Sequence, residues 1–245
     1  MEPAQMYDSA ATMFSPDGRI YQVEYAREAV KRGTTAVGVV YKDDAVLLVD
    51  KRISSKLIET AAVEKIFKID RHIGVASSGL VGDARMLVAR ARAVSANNRV
   101  VYGENIEINV LVKDLSDIMQ AYTQNGGVRP FGAAFLMGGV DPDGTVRLYE
   151  TDPSGAVVQY KATAIGVGRA AALEFLENEY TPTLDEAAAI KLGLKALYRQ
   201  TDAGASAATT PTGEPAVDIA VVTVKDGFRL LPQDEVKPHV TASQA

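Results

Sequence analysis

The stretch KRGTTAVGVV, residues 31–40, marks a change in hydrophobic period along the chain. Upstream of it, apolar residues recur at the spacing of one helix face, and from Thr34 onward they alternate as in a strand. We expect the helix to end at Gly33, which supplies a C′ stop. Thr34 could act as a nucleophile if the chain were cut before it, because its own α-amine would then be the base. The alternative is that Thr34 is an ordinary strand residue.

Composition restricts the classes of function that the chain can have. Its 245 residues, 47% hydrophobic and 23% charged, are typical of a globular protein of one large domain. The sequence has no cysteine and two histidines, His72 and His239. Thiolate chemistry is therefore excluded, and a histidine-based triad or metal site would have few histidines to use. A net charge of -5 argues against nucleic acid as a partner. We expect no membrane span, no secretory signal and a cytoplasmic location.

The order of predicted elements favours one layered domain. A mobile tail at residues 1–12 precedes a helix over residues 19–32. Strands, two helices, strands, two helices and further strands follow over residues 34–231, and residues 232–245 read as a short polar tail. This order is satisfied most economically by two antiparallel sheets packed face to face with helices outside each, an α+β fold in four layers.

Local signals set several boundaries within that order. An apolar stripe predicts a helix over Ile108–Gln124, which Gly126 and Gly127 terminate. A second helix is expected to begin at Thr183, with Glu186 at the spacing of a capping box. The small and polar residues from Ala203 to Pro215 predict a loop.

Three short motifs resemble functional sites but are better explained structurally. Residues 166–171 (GVGRAA) follow a strand and open a helix, yet the second parallel strand of a dinucleotide fold is missing. Residues 141–144 (DPDG) begin like a calcium loop but lack its bidentate glutamate, so a hairpin turn is expected. Residues 77–79 (SSG) could include a serine nucleophile, but without a histidine base we expect a turn leading into a helix. We therefore expect no cofactor and no metal.

One set of residues retains chemical interest. Thr34, Asp50 and Lys65 fall on the first two predicted strands and at the start of the third, where they could lie together. A lysine lowers the cost of proton transfer to an N-terminal threonine, and an acid can orient that lysine. The pattern alone is weak, because all three residue types are common at strand positions.

Longer runs of sequence are more specific. The run YDSAATMFSPDGRIYQVEYAREAVKRGTTAVG resembles the N-terminal signature of the α-subunits of the proteasome core particle, those of archaea in particular. The likeness extends from residue 7 to residue 198 through VDKRISSKLIE, VEKIFKID, SSGLVGDAR, YTQNGGVRPFG and ETDPSGAVVQYKATAIG. It implies the αββα sandwich of N-terminal-nucleophile hydrolases with an extra N-terminal helix, in agreement with the predicted order of elements.

The resemblance also implies that Thr34 is not catalytic. Catalytic β-subunits remove everything before their threonine, whereas α-subunits keep this segment, here called the leader (residues 1–33). An acylated nitrogen cannot act as general base. Active relatives carry Gly-Ser-Gly where this chain has Gly166-Val167-Gly168, so a supporting hydroxyl is missing. By this resemblance the chain is a non-catalytic subunit of a threonine-type endopeptidase complex.

The family assigns other roles to residues on either side of Thr34. Tyr7, Asp8, Pro16 and Tyr25 match its gate positions, at which N-terminal tails close the axial entrance of the ring. Ser9 departs from the family, because archaeal relatives usually carry arginine there.

Four further positions match the pocket that receives the C-terminal carboxylate of an activator. They are Lys65, Glu24, Gly79 and Leu80. The partners implied are other α-subunits in a seven-membered ring, the catalytic β-subunits, an activating ATPase and unfolded proteins in transit.

Two other interpretations remain open at this point. The chain could be a self-processed threonine peptidase of the β-type with residues 1–33 as its propeptide. It could also be a free-standing small-molecule hydrolase or binding protein of the same fold.

Overall fold

The computed structural model describes residues 12–51, 53, 55, 57–59, 62–199 and 216–244. In chain order, its elements are α1 (Tyr21–Arg32), β1 (Ala36–Tyr41), β2 (Asp44–Asp50), β3 (Ile66–Asp70), β4 (Ile73–Gly79), α2 (Val81–Tyr102), α3 (Ile108–Gln124), β5 (Ala133–Val140), β6 (Val146–Thr151), β7 (Val157–Gln159), β8 (Ala162–Ile165), α4 (Arg169–Glu179), α5 (Glu186–Tyr198), β9 (Val217–Thr223), β10 (Gly227–Leu230) and α6 (Gln233–Gln244). None of the helices in this described part combines the length and apolar character that crossing a bilayer requires.

The strands form two antiparallel sheets of five strands each. The first sheet has the order β10-β9-β2-β1-β8, and the second has the order β3-β4-β5-β6-β7. Both sheets have a defined register: the hairpin partners β1 and β2 pair from Ala36 opposite Val49, and β4 pairs with β5, which follows α2 and α3, from Ile73 opposite Gly139. The two antiparallel sheets expected from the order of elements are confirmed.

Three apolar clusters show that the layers stack as helices, sheet, sheet and helices. One cluster joins the first sheet to α4, α5 and α6, and a second joins the other sheet to α2 and α3. The third lies between the sheets and includes Leu47, Leu136 and Leu148. Each sheet therefore buries one face on the other sheet and one under helices, which confirms the expected αββα sandwich.

Helix α1 is packed against the end of the second sheet. It buries Val23, Ala26 and Val30, and Val30 joins the cluster between the sheets. Arg27 adds a forked ion pair to Asp152 in the β6–β7 turn, with N–O distances of 2.9 and 3.0 Å. Burial by itself would raise the pKa of Asp152, but hydrogen bonds from Arg27 and Ser154 outweigh burial and hold that pKa below its usual value. The leader is thus fixed to the sandwich by both apolar and charged contacts.

The structure gives a different reason why position 33 is glycine. Helix α1 ends at Gly33 as predicted, but the φ of -67° and ψ of 155° of this residue are extended, not left-handed. A Cβ at this position would lie 2.3 Å from the amide nitrogen of Gly79 and 2.3 Å from the hydroxyl oxygen of Ser78. Glycine is required because two backbone segments meet there.

Three further predictions differ from the structure. Helix α5 is capped by Asp185, whose carboxylate accepts from the amide of Ala188, rather than by Thr183. The residues after Pro232 form helix α6 instead of a polar tail, with Val236 and Val240 buried against the first sheet. The SSG run lies in strand β4, not in a turn. The predicted loop from Ala203 to Pro215 lies outside the described residues.

Candidate functional site

Thr34 and Lys65 are brought into contact, as the sequence suggested. Thr34 lies in the two-residue link between Gly33 and strand β1, and Lys65 directly precedes β3. The ammonium group of Lys65 donates to the hydroxyl oxygen of Thr34. The backbone of Lys65 is fixed as well, because its carbonyl oxygen accepts from the amide of Ser77 at 3.0 Å. This pair reproduces part of the arrangement that a threonine nucleophile needs.

The surroundings of the Gly33–Thr34 peptide do not complete a nucleophile. While this peptide is intact, the nitrogen of Thr34 is an amide and cannot accept a proton. The carbonyl oxygen of Gly33 accepts from the amide of Val167 at 2.9 Å, and Gly166 packs so closely that its Cβ would lie 2.5 Å from the carbonyl oxygen of Thr34. The peptide is therefore enclosed by the turn between β8 and α4.

Asp50, the third residue of the predicted set, lies at the end of β2. Its backbone amide donates to the carbonyl oxygen of Thr35 at 2.9 Å. Burial raises the pKa of the Tyr198 hydroxyl, and the negative charge of Asp50 raises it further, so the carboxylate lies near α5. The structure thus brings Thr34 and Lys65 together, while the charge of Asp50 acts on the hydroxyl of Tyr198.

A groove of about 670 Å³ opens on the other side of Gly33. One wall is α1, which contributes Tyr25, Glu28, Ala29 and Arg32, and the opposite wall is Gly79 and Leu80 at the junction of β4 and α2. Tyr25 is 50% exposed and Leu80 is 45% exposed, so both offer apolar surface to a ligand. Arg32 supplies a positive charge at the rim. The chemistry of these walls suits a short peptide with apolar side chains and an anionic end.

The four predicted docking residues divide between this groove and its surroundings. Gly79 and Leu80 line the groove. Of the described residues, its walls include Gly33 but not Lys65, whose ammonium group contacts Thr34. Glu24 lies in a second, smaller groove of about 250 Å³, where its carboxylate accepts from Arg27 at 2.7 Å.

The predicted gate positions are only partly within the described residues. Tyr7, Asp8 and Ser9 lie outside them. Pro16 occupies an exposed turn, in which the amide of Gly18 donates to the carbonyl oxygen of Ser15 at 2.8 Å. Tyr25 stacks on Tyr21 along the exposed side of α1, with ring centroids 6.4 Å apart.

The segment before β5 supports the groove in a way that sequence reasoning missed. Asp83 in the first turn of α2 accepts from Arg129 and from the amide of Gly132, while the carbonyl oxygen of Gly132 accepts from the amide of Leu80. The hydrogen bonds from Arg129 hold the pKa of Asp83 below its usual value. The run GGVRPFG, residues 126–132, contains Arg129 and Gly132, but their partner Asp83 lies more than 40 residues earlier in the sequence.

Comparison with known proteins gives consistent results along the chain. Residues 30–210 match the family described as proteasome subunit, and residues 7–29 match the N-terminal signature of A-type proteasome subunits. The chain is 56% identical to the proteasome alpha subunit of Methanoculleus marisnigri over 96% of this chain and 95% of that protein. It is 53% identical to the proteasome alpha subunit of Methanothermobacter thermautotrophicus, over 98% and 95% of the two chains. The corresponding protein of Methanocaldococcus jannaschii is 52% identical, over 97% and 88%.

Proposed function

This chain belongs to the family of proteasome α-subunits, and from that premise we propose that it forms the seven-membered outer ring of a proteasome core particle. In this role it is non-catalytic and acts in the cytoplasm. The ring is a scaffold for the catalytic β-subunits and controls the entry of unfolded proteins. An activating ATPase binds to the ring through its C-terminal tails.

One observation carries this proposal: helix α1 of the leader is packed against the sandwich and forms part of the groove. Helix α1 buries three apolar side chains, is tied to Asp152 by Arg27 and supplies one wall of the groove. A propeptide that is discarded after processing needs none of these contacts. A gating subunit needs all of them, because its leader must stay attached and transmit the effect of docking.

The proposed docking contact uses Lys65 as the charged partner of the activator's C-terminal carboxylate. The side chain is long and half-buried, and this contact requires its ammonium group to turn from Thr34 toward the groove beside Gly33. A charge-assisted hydrogen bond of this kind contributes about 1.5–3 kcal/mol. One such bond is weak, but several tails that bind one ring gain affinity through multivalency.

The test is the variant Lys65→Ala in a particle assembled with the partner β-subunit. We expect it to abolish ATPase-stimulated degradation of proteins while hydrolysis of small peptides continues. Lys68→Ala is the matched control, since Lys68 is an exposed lysine on the adjacent strand β3. Stimulation that survives in the Lys65→Ala particle would overturn this docking assignment.

Gating is the second part of the proposal. Tyr7, Asp8, Pro16 and Tyr25 are the residues we assign to it, and the exposed turn at Pro16 precedes α1 directly. Deletion of residues 1–12 is expected to let unfolded proteins enter without an activator. The measurement is degradation of a labelled unfolded protein by the truncated particle, and a particle that remains closed contradicts the assignment.

The hydrogen bond between Lys65 and Thr34 keeps a second candidate open, a threonine peptidase with residues 1–33 as its propeptide. The intact mass of the chain purified from its own cells decides between the two. A mass that corresponds to cleavage before Thr34 would replace the gating proposal.

A further inference from the structure

Asn125 caps the C-terminal end of helix α3 and is followed directly by two glycines. It lies just past the last helical residue, with an extended backbone (φ -102°, ψ 127°), and it is exposed. Its side-chain nitrogen Nδ2 donates to the carbonyl oxygen of Ala121 at 2.7 Å. The carboxamide therefore satisfies one of the carbonyl groups that a helix leaves unpaired at its end.

The next residue, Gly126, places no steric barrier beside this carboxamide. Gly126 is exposed, and a Cβ built on it would meet no atom within 4 Å apart from its chain neighbours. In the described part of the chain, no group accepts a hydrogen bond from the backbone amide of Gly126. Because a glycine has a wide conformational range, this amide can approach the side-chain carbon Cγ of Asn125.

Asn178 makes the same side-chain contact in a different backbone setting. Its Nδ2 donates at 2.7 Å to the carbonyl oxygen of Glu174, which is also four residues earlier. Asn178 is exposed as well, but it lies within α4 and is followed by Glu179. The helix fixes the backbone around Asn178, and the side chain of Glu179 adds a steric barrier. The two asparagines thus share their exposure and hydrogen bond and differ in backbone freedom and in the residue that follows.

We propose that Asn125 is a site of spontaneous deamidation, a modification that consumes only water. The backbone nitrogen of Gly126 attacks Cγ of Asn125, so that an N–Cγ bond forms and the Cγ–Nδ2 bond breaks. Ammonia leaves with the proton of the Gly126 amide, and a five-membered succinimide ring remains. Water then opens this ring at one of its two carbonyl carbons. Opening at Cγ gives aspartate, and opening at the backbone carbonyl carbon gives isoaspartate, in which the main chain runs through the side chain.

The modification removes the cap of α3. Attack requires the carboxamide to leave Ala121 and the backbone of Asn125 to rotate, and both movements are open to an exposed residue outside the helix. The product has no side-chain N–H for the carbonyl oxygen of Ala121. It also places a negative charge at the C-terminal end of α3, where the helix dipole is unfavourable for an anion. Each converted chain therefore keeps a less stable helix end.

The experiment follows both asparagines in the same purified full-length chain. The folded chain is incubated in neutral and in mildly alkaline buffer, and a parallel sample is unfolded in urea. After digestion under acidic conditions, mass spectrometry detects the replacement of NH by oxygen at each site, and chromatography separates aspartate from isoaspartate. The test variant is Gly126→Ala, which the fold should accept because a Cβ has open space there and the φ of Gly126 is not left-handed. Asn178 is the internal control.

We expect Asn125 to convert at least about tenfold faster than Asn178 in the folded chain and to give both products. Conversion should be faster in alkaline buffer, because the Gly126 amide must lose its proton to attack. Gly126→Ala should slow conversion of Asn125 about tenfold and leave Asn178 unchanged.

Three results would overturn the inference. The first is an equal rate at the two asparagines of the folded chain. The second is conversion of Asn125 in urea but not in the folded chain, which would mean that the fold protects it. The third is an unchanged rate in Gly126→Ala or a product without isoaspartate, since either would indicate direct hydrolysis of the side chain by water.

Discussion

The contacts on the two sides of Gly33 differ in kind. Toward β1, Thr34 and Lys65 form a contact between two side chains of the types that threonine hydrolysis requires. Toward α1, the groove is open and is lined by side chains of that helix, by Leu80 and by two glycines. The difference teaches that matching residue types do not make a catalytic site. What each side can do is decided by the backbone around it, which encloses the threonine and exposes the groove.

The largest effect is expected from Gly33→Ala, because this residue separates the two regions. The new methyl group would meet the backbone of Gly79 and the hydroxyl of Ser78 at 2.3 Å. Overpacking against backbone cannot relax easily, so the free energy of unfolding should fall by about 1–3 kcal/mol or more. Urea denaturation of the purified chain measures this loss.

Gly82→Ala is the matched control for that substitution. Gly82 lies in the first turn of α2, and a Cβ there would have open space around it. Alanine favours helix, so we expect a neutral effect or a stabilisation of up to about 1 kcal/mol. Equal stabilities of the two alanine variants would contradict the close contact between Gly33 and β4.

An intermediate effect is expected from Arg27→Met, which removes the ion pair that holds the leader. Asp152 has a lowered pKa in the folded chain, so its pair stabilises the fold above the unfolded pKa of about 3.9 and loses this effect as the pH falls through the lower folded value. Both side chains are about one-third exposed, which weakens the pair by solvent screening. We expect a loss of about 1–2 kcal/mol at pH 7 and a smaller decline of stability below pH 4.

Lys31→Met provides the comparison on the same helix. Lys31 pairs with Glu28 at the surface, where both side chains are more than half exposed. Its removal should change the free energy of unfolding by less than about 0.5 kcal/mol. A loss as large as that of Arg27→Met would show that the charge of α1, rather than its attachment to Asp152, stabilises the leader.

Apart from the control variants, the smallest effect is expected from Thr34→Ala. Removal of the hydroxyl breaks its hydrogen bond with Lys65 and should cost about 0.5–1.5 kcal/mol of stability. The assembled particle should hydrolyse small peptides at the original rate. Loss of that activity would make Thr34 a nucleophile and remove the distinction between the two sides of Gly33.

Much of the fold followed from local patterns in the sequence. The helix predicted over Ile108–Gln124 has the same limits in the structure, because its apolar stripe is continuous and paired glycines follow it. The pairs of strands that are joined by short turns were predictable from alternation and from the polar residues of those turns. The contact between Lys65 and Thr34 was predicted from their residue types and from their positions on the predicted strands.

The features that sequence reasoning missed depend on distant contacts. Gly33 is explained by Ser78 and Gly79, which lie about 45 residues further along the chain. Helix α6 has few apolar residues and contains Pro238, so its pattern resembles a tail until Val236 and Val240 find the first sheet. The cap of α5 was misplaced because the residues before it offer several capping side chains, of which Asp185 accepts from the amide of Ala188.

Because α1 contributes one wall of the groove, cleavage before Thr34 would have two opposite effects. Cleavage before Thr34 would release the amine that a nucleophile needs, and the same cut would remove Tyr25, Glu28, Ala29 and Arg32, leaving one bare wall. Peptidase activity and the proposed binding of an activator would therefore exclude each other. A chain in which this peptide bond stays intact keeps both walls of the groove and lacks the free amine of Thr34.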